Sequence, residues 1–558
     1  MKRLAILLLA GAFLAACSND DKSCAVVRDC PSTQRCLNGK CVDPGGQPPS
    51  ALGEACGSTV DCASGLTCQT PASGFVGGFC TASCSQPGDC PGSSCTAVGS
   101  TSFCMPACTA DPQCRQGYGC CASLGNVCVP LAACTSPACT RPVVASALPS
   151  GQVQQFGTHK VGDTITFDVP PGTGSLTIVH QAVLATLNVV YQNQVIDNSA
   201  VPLSILQPDG GKVYDDLTFN PQSSADGGTD SSGIYAFYGG LTPSTAAFTI
   251  PNTTGSLDGG VPSGNWKFVV NDYANECLSL GCNDGGSAEN TYDVQVVTRQ
   301  AAGATLDAAF YIVTTSFSEA NAGTNATVQR MVGAFKNIYA QAGITANVVF
   351  HDVSATDKAR FGTHISATAT GPCDEFGQLF TLSGAHPGNT MNLFLVDAIT
   401  DNSGSGGVIV GIDGTIPGPS SYNGTVASGA VVSAADLFGG TCGVGFSLNC
   451  GADRTAYIAA HETGHFLGLF HTTELQGSDF DPIADTAKCP CIPCASATDR
   501  PNCLSPNASS PVMSASRCVS GGCGGGDNLM FWILDSGISV GNISPQQAQV
   551  MRLNPLIH

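Results

Sequence analysis

Charge is scarce in this chain: only 11% of its 558 residues are Asp, Glu, Lys or Arg. Basic residues are scarcest, 21 against 41 acidic ones, and no Lys/Arg block occurs beyond the extreme N-terminus. A nucleic-acid groove needs clustered cations to neutralise phosphates, so this balance argues against such a partner. Long apolar runs are missing too. The first one, Leu4 to Leu14, is too short to span a bilayer as a helix, and no later segment is longer. What is abundant is glycine (67) and cysteine (31), within a 43% hydrophobic composition that can bury sizeable cores. The length exceeds one compact core and suggests about three or four domains, loop-rich and β-heavy.

Met1-Lys2-Arg3 followed by that short apolar run reads as an export signal. It ends in Leu14-Ala15-Ala16-Cys17, which resembles the lipobox of bacterial lipoproteins. The resemblance implies cleavage after residue 16, lipidation of Cys17, and an anchor in the bacterial outer membrane or at the cell surface. Ser18 stands where the family's inner-membrane retention signal would carry Asp. An exported chain sits where disulfides persist, and setting Cys17 aside leaves an even number of cysteines.

Residues 17–140 form a Cys-rich region with a repeating spacing. Its sets are Cys24/Cys30/Cys36/Cys41, Cys56/Cys62/Cys68/Cys80, Cys84/Cys90/Cys95/Cys104 and Cys108/Cys114/Cys120/Cys128. Modules this small have too little apolar area to fold alone, so disulfides must stand in for a core. "STVDCASGLTC" and its neighbours resemble the short Cys-rich repeats of myxobacterial surface proteins. The spacing alone leaves the connectivity open, and leaves a passive spacer and a binding region as alternatives. Residues 141–300 nearly lose cysteine and gain short alternating runs such as "DTITFDVP" and "NWKFVVND", expected to form an antiparallel β-sandwich. "LSILQPDGGKVYDDL" followed by "SGNWKFVVNDYANE" resembles the jelly-roll P domain found beside some secreted proteases. Cys277 and Cys282 are expected to close a local loop here.

From 301 to 558 strands and helices mix in an α/β (α+β) unit. "ATLDAAFYIVTTSF", "TANVVFHDV" and "MNLFLVDAI" read as buried strands, and "NATVQRMVGAFKNIYAQAG" as an amphipathic helix with a glycine stop. The chemistry lies in His461-Glu462-Thr463-Gly464-His465-Phe466-Leu467-Gly468-Leu469-Phe470-His471. Residues four apart share a helix face, so His461 and His465 can aim two imidazoles at one ion. Gly468 can take the left-handed turn that brings His471 back as a third ligand. Three protein nitrogens leave a coordination position open, the mark of a catalytic zinc. Glu462 stands beside the ion as the general base, taking a proton from water and passing it to the leaving amine.

This stretch is the extended zinc signature of the metzincins, with Met530 in "GGGDNLMFW" as the Met-turn residue. "SDFDPIADTAKC" is similar to the Asp-rich segment of the pappalysin-like (M43) metzincins. The resemblance implies a two-lobed catalytic domain that cleaves proteins or peptides. It also brings Ca2+ into question as a second cation on Asp479, Asp481 and Asp485, with a solvated loop as the alternative. Several metzincins carry Tyr two places after the Met-turn Met. Trp532 stands there, so no Tyr receives a catalytic role and the oxyanion donor stays open. Cys489, Cys491, Cys494, Cys503, Cys518 and Cys523 could hold a second zinc, but disulfides are the expected state. Together these readings make a multidomain, lipid-anchored zinc endopeptidase. The rival is an inactive surface adhesin or scaffold that keeps the protease fold.

Overall fold

The computed structural model describes most of residues 49–130, 151–215, 245–272, 290–362, 375–400, 409–494, 513–534 and 541–558. It also describes short strands at 35–37, 40–42, 144–145, 239–240 and 365–366. The lipobox with Cys17, the Cys277/Cys282 pair, Cys373, Cys503 and Asp479 lie outside the described residues.

Three Cys-rich modules are hairpins: Thr67–Gln69 with Phe79–Thr81, Ser94–Val98 with Thr101–Met105, and Tyr118–Cys121 with Val127–Pro130. In each, the third and fourth cysteines face each other across the hairpin (Cys68 and Cys80, Cys95 and Cys104, Cys120 and Cys128). They do not bond to each other. The third reaches back to the first and the fourth to the second: Cys56–Cys68 and Cys62–Cys80, Cys84–Cys95 and Cys90–Cys104, Cys108–Cys120 and Cys114–Cys128. Each hairpin is thereby stapled to the loop just before it. The modules also share a small aromatic core of Phe75, Phe79, Phe103 and Tyr118, with Phe79 stacked on Tyr118 at 4.8 Å.

Next come eight strands: β1 (Gln152–Lys160), β2 (Thr164–Val169), β3 (Ser175–Leu184), β4 (Ser204–Leu206), β5 (Lys212–Asp215), β6 (Thr245–Ile250), β7 (Gly264–Val269) and β8 (Thr291–Arg299). They form two antiparallel four-stranded sheets, ordered β1-β8-β3-β6 and β2-β7-β4-β5. Alternate residues of β2 are buried, as one wetted face requires. Ile165 and Phe167 from one sheet share a core with Leu176, Ile178 and Phe248 from the other, around fully buried Trp266.

His180 on β3 sits inside that core, 5.5 Å from the Phe268 and Tyr292 ring centres, with Nε2 buried and unpartnered. Burial pulls its pKa down to about 3. The unfolded chain takes up a proton below about 6.5 while the folded unit resists until about 3, so stability falls as pH drops through that window. At about 1.4 kcal/mol per unit the loss reaches roughly 5 kcal/mol. Acid titration of Trp266 fluorescence should therefore show His180→Leu holding its fold to lower pH than the native chain. Superimposable curves would disprove it.

The third unit is built on β9 (Thr305–Ile312), β10 (Thr345–Asp352), β11 (Met391–Val396), β12 (Gly411–Asp413) and β13 (Ala430–Ser433). Their order is β10-β9-β11-β13-β12; the first four run parallel and β12 closes the edge antiparallel. β11 and β13 are buried throughout, as strands covered on both faces should be. One face carries α2 (Ala326–Ala340) and α3 (Gly451–Phe466), between α1 (Thr254–Gly259) of the two-sheet unit and the C-terminal α4 (Pro545–Leu553) in chain order. Asn325 caps α2 by accepting from Thr327 and Val328 N–H, and Gly343 (φ 68°) follows its end. Among the described residues no helix is long and apolar enough to cross a membrane.

The two larger units are joined by hydrogen bonds. Arg299 Nη1 donates to the carbonyls of Asn554 (2.6 Å) and Ile557, and Ser175 Oγ to that of Leu553 (2.7 Å). On another side Thr254 N–H donates to the Pro482 carbonyl, and Thr254 Oγ1 accepts from Ala484 N–H. The two-sheet unit thus grips both the C-terminal segment and the loop after His471.

Candidate metal centre

Helix α3 is buried on every side except at Arg454, which explains its weak amphipathic signature: it runs through the middle of its unit. Its start is held by Asp453, whose carboxylate takes Arg330 Nε and Nη2, both at 2.8 Å, and the Ser447 N–H at 2.8 Å. The helix ends at Phe466, with Leu467 as C-cap and Gly468 at φ 102°. A Cβ on Gly468 would meet only ordinary contacts, so the backbone turn is what requires glycine there. That turn folds Leu469 to His471 back beneath the helix.

The three imidazoles converge. Nε2 of His471 lies 3.2 Å from Nε2 of His461 and 3.1 Å from Nε2 of His465, and the three ligand atoms all lie within 4.8 Å of one another. Each Nδ1 faces an oxygen: the Leu529 carbonyl for His461 (2.7 Å), the Leu469 carbonyl for His465 (2.8 Å) and Glu474 Oε1 for His471 (2.9 Å). An Nδ1 hydrogen directed at each acceptor leaves three Nε2 lone pairs facing one another. A proton on His471 could bridge some of them; only a cation engages all three. The donor set therefore fits a metal ion of the zinc type. Burial, then the nearby His471, lowers His461 to about 3, and the same causes hold His465 well below its usual range. Burial would lower His471 too, but the charge and hydrogen bond of Glu474, with the charge of Glu462, raise it.

Glu462 lies beside this cluster, 7% exposed. Burial raises its carboxyl to about 8, against the lowering effects of His471 and of a hydrogen bond from the Asp413 backbone N–H. Edge strand β12 closes over it: a Cβ on Gly411 would stand 2.4 Å from Glu462 Oε1. Met530 is fully buried under α3, where a Cβ on Gly464 would come within 2.6 Å of its sulfur. The turn is pinned by Asn528 Oδ1 accepting from Met530 N–H (2.8 Å) and by Tyr457 OH donating to the Leu529 carbonyl (3.0 Å). Leu529 therefore links the Met-turn to the His461 ring directly.

Glu474, Gly464 and Gly411 escaped the sequence reading. Glu474 alone left a local trace, an acid three places after the last histidine. Glu474→Gln should weaken metal affinity by about 10–100-fold with the fold intact, since it orients a ligand and strengthens its basicity. Competition against a chromogenic chelator measures this, and unchanged affinity would remove Glu474 from the site.

Of the carboxylates offered for calcium, Asp479 lies outside the described residues, and Asp481 and Asp485 are engaged separately. Asp481 is 1% exposed and accepts from Lys488 Nζ and from Thr486 Oγ1 (2.6 Å), so an ammonium already neutralises it. Asp485 instead accepts from Ser544 Oγ (2.6 Å) and Gln546 N–H (2.9 Å) at the start of α4. Each carboxylate serves protein donors of its own, so the two do not form a shared oxygen cage. Trp532 donates its indole N–H to the Met513 carbonyl (2.8 Å) and so has no donor left for an oxyanion. The Cys cluster is paired as Cys489–Cys518 and Cys494–Cys523, and Cys491 is disulfide-bonded too, which excludes a thiolate zinc site on these sulfurs.

Residues 305–520 match the family model Reprolysin_5, metallo-peptidase family M12. The match supports a metalloprotease hydrolase acting on proteins or peptides, and it spans the three histidines and Glu462. The matched family is M12, where M43 was expected from the Asp-rich segment. Among solved structures the chain is similar to metalloproteinase-II from Bacteroides fragilis at 12% identity, over 35% of this chain, with a TM-score of 0.18. The chain spans 60% of that protein's length. No curated protein matches.

Proposed function

We propose that the chain is an exported zinc-dependent endopeptidase, with His461, His465 and His471 holding the metal and Glu462 as general base. The observation that carries this is the convergence of three Nε2 atoms whose Nδ1 partners are all oxygens. Bound there, zinc would supply a Lewis acid that acidifies water and polarises a carbonyl. The protein's own part is positional. The Asp413 N–H and the close approach of Gly411 hold the Glu462 carboxylate in place. From there Glu462 takes a proton from water and returns it to the leaving amine. Met530 serves as an apolar floor and Gly468 as the bend.

The finer assignments rest on sequence. Kinship to M43 is supported by "SDFDPIADTAKC", and kinship of the two-sheet unit to P domains by its strand pattern. Attachment to the outer membrane or cell surface is supported by the lipobox at Cys17, and Cys17→Ala shifting the protein from the membrane to the soluble fraction would test it. The central test is metal content with casein hydrolysis. One zinc per chain, loss of hydrolysis on chelation and its return with Zn2+ are expected. Protein without stoichiometric metal, or hydrolysis indifferent to chelation, would end the proposal.

A further inference from the structure

At the seam between the two-sheet unit and the protease unit lies a cavity of about 300 Å³. Its walls include Gln152, Thr173, Thr298, Gln300 and His558, and Arg299 lines it as well. Arg299 is 3% exposed. Its Nη1 donates to the two carbonyls of the C-terminal segment. Nε is buried without a partner, and Nη2 makes no hydrogen bond to any described residue. No carboxylate among the described residues comes within 4.0 Å of the guanidinium. His558 adds a second unmet donor or acceptor, since its Nδ1 is also buried and unpartnered.

A buried charge is costly unless it is paired, and an arginine does not shed its proton to escape that cost. The same chain shows what the open edge of Arg299 is suited to. Arg330 uses its own Nε and Nη2 to take both oxygens of Asp453, at 2.8 Å each. That side-on fork is the geometry in which guanidinium and carboxylate bind each other in two places. In Arg299 the fork is intact and its far side, Nη1, is already engaged. The remaining walls combine amides and hydroxyls with apolar Pro170, Ala301 and Ala302 and the His558 imidazole, and hold no lysine or second arginine. A succinate can set one carboxylate, with two coplanar oxygens, against the fork and leave the other in solvent, whereas a phosphate gathers its charge and oxygens on one centre and would call for further cations.

We propose that the seam cavity binds a small carboxylate-bearing molecule, whose carboxylate takes the unpartnered Nε/Nη2 edge of the Arg299 guanidinium. Such a ligand fastens the two-sheet unit to segment 552–558, because the same guanidinium already holds two carbonyls of that segment. The site lies apart from the three histidines and depends on none of them.

The test is thermal unfolding of the full, zinc-loaded chain in succinate, inorganic phosphate or chloride at equal ionic strength. Succinate should raise the midpoint saturably by several degrees over chloride, and phosphate by less. Arg299→Gln should abolish the succinate response. Should that variant fail to fold, Ala302→Glu decides: Ala302 is exposed on the cavity wall, so a glutamate there supplies a tethered carboxylate. Ala302→Glu should unfold at a higher temperature without ligand and no longer respond to succinate. Equal midpoints in succinate and chloride would overturn the proposal. So would a succinate response that survives Ala302→Glu, or a phosphate response larger than that of succinate.

Discussion

Glu462→Gln is expected to lower peptide hydrolysis by on the order of 10²–10⁴-fold while the purified protein keeps its metal. The amide has the shape of the carboxylate but cannot accept the water's proton. It can still take the Asp413 N–H through its carbonyl oxygen, and Gly411 leaves room for it. His461, His465 and His471 keep their Nδ1 partners, none of which involves Glu462. Metal content and thermal midpoint should therefore stay near those of the native chain. Activity above about a tenth of native would show that another group moves the proton. Loss of metal along with activity would mean that Glu462 supports the ion directly. A small-residue substitution such as Glu462→Ala is less informative, because it opens space beneath β12.

The second large effect concerns stability. Arg330→Met should clearly destabilise the protease unit, because it strands a carboxylate that is 2% exposed. Arg330 does more than pair with Asp453. It also donates to the Gly443 and Gly445 carbonyls (2.8 and 2.7 Å), ordering the loop closed by the Cys442–Cys450 disulfide just before α3. Part of the burden on Asp453 is carried by the Ser447 N–H and by its place in the first turn of the helix. In a domain of this size such a loss should lower the unfolding midpoint by about 5 °C or more. The double variant Arg330→Met/Asp453→Asn should recover part of it, since the uncompensated charge is gone. A drop of only a degree or two would place the pair among ordinary surface ion pairs.

The histidine cluster was legible in the sequence because its geometry is local: one helical turn and one bend bring all three rings together within eleven residues. The buried strands β9 and β11 and helix α2 were legible for a similar reason, through apolar runs and periodicity; β10, expected to be buried as well, is an edge strand with only Ala346 buried. What surrounds the cluster was not. Strand β12 is three residues long, reads "GID" and carries no alternating pattern, yet it closes over Glu462. That Gly464 makes room for Met530, or that Leu529 accepts from His461, depends on contacts between segments more than sixty positions apart. The surroundings of the Asp-rich segment were equally hidden: its spacing was visible, but nothing local announced that Lys488 would turn back onto Asp481. The disulfide pairing had the opposite difficulty. Cysteines that face each other across a hairpin invite direct bonding, and the observed pairing follows from a preceding loop whose course the spacing does not reveal.

That pairing has a consequence for how the N-terminal region can change. In the first two described modules every cross-link closes inside its own stretch of chain, so either can be lost or duplicated without stranding a thiol; the third also carries Cys121, a further disulfide-bonded cysteine, and is not separable in this way. The neighbours need only re-form their shared aromatic contact. The region can therefore behave as a ruler graduated in hairpins, its reach adjusted by adding or dropping whole units.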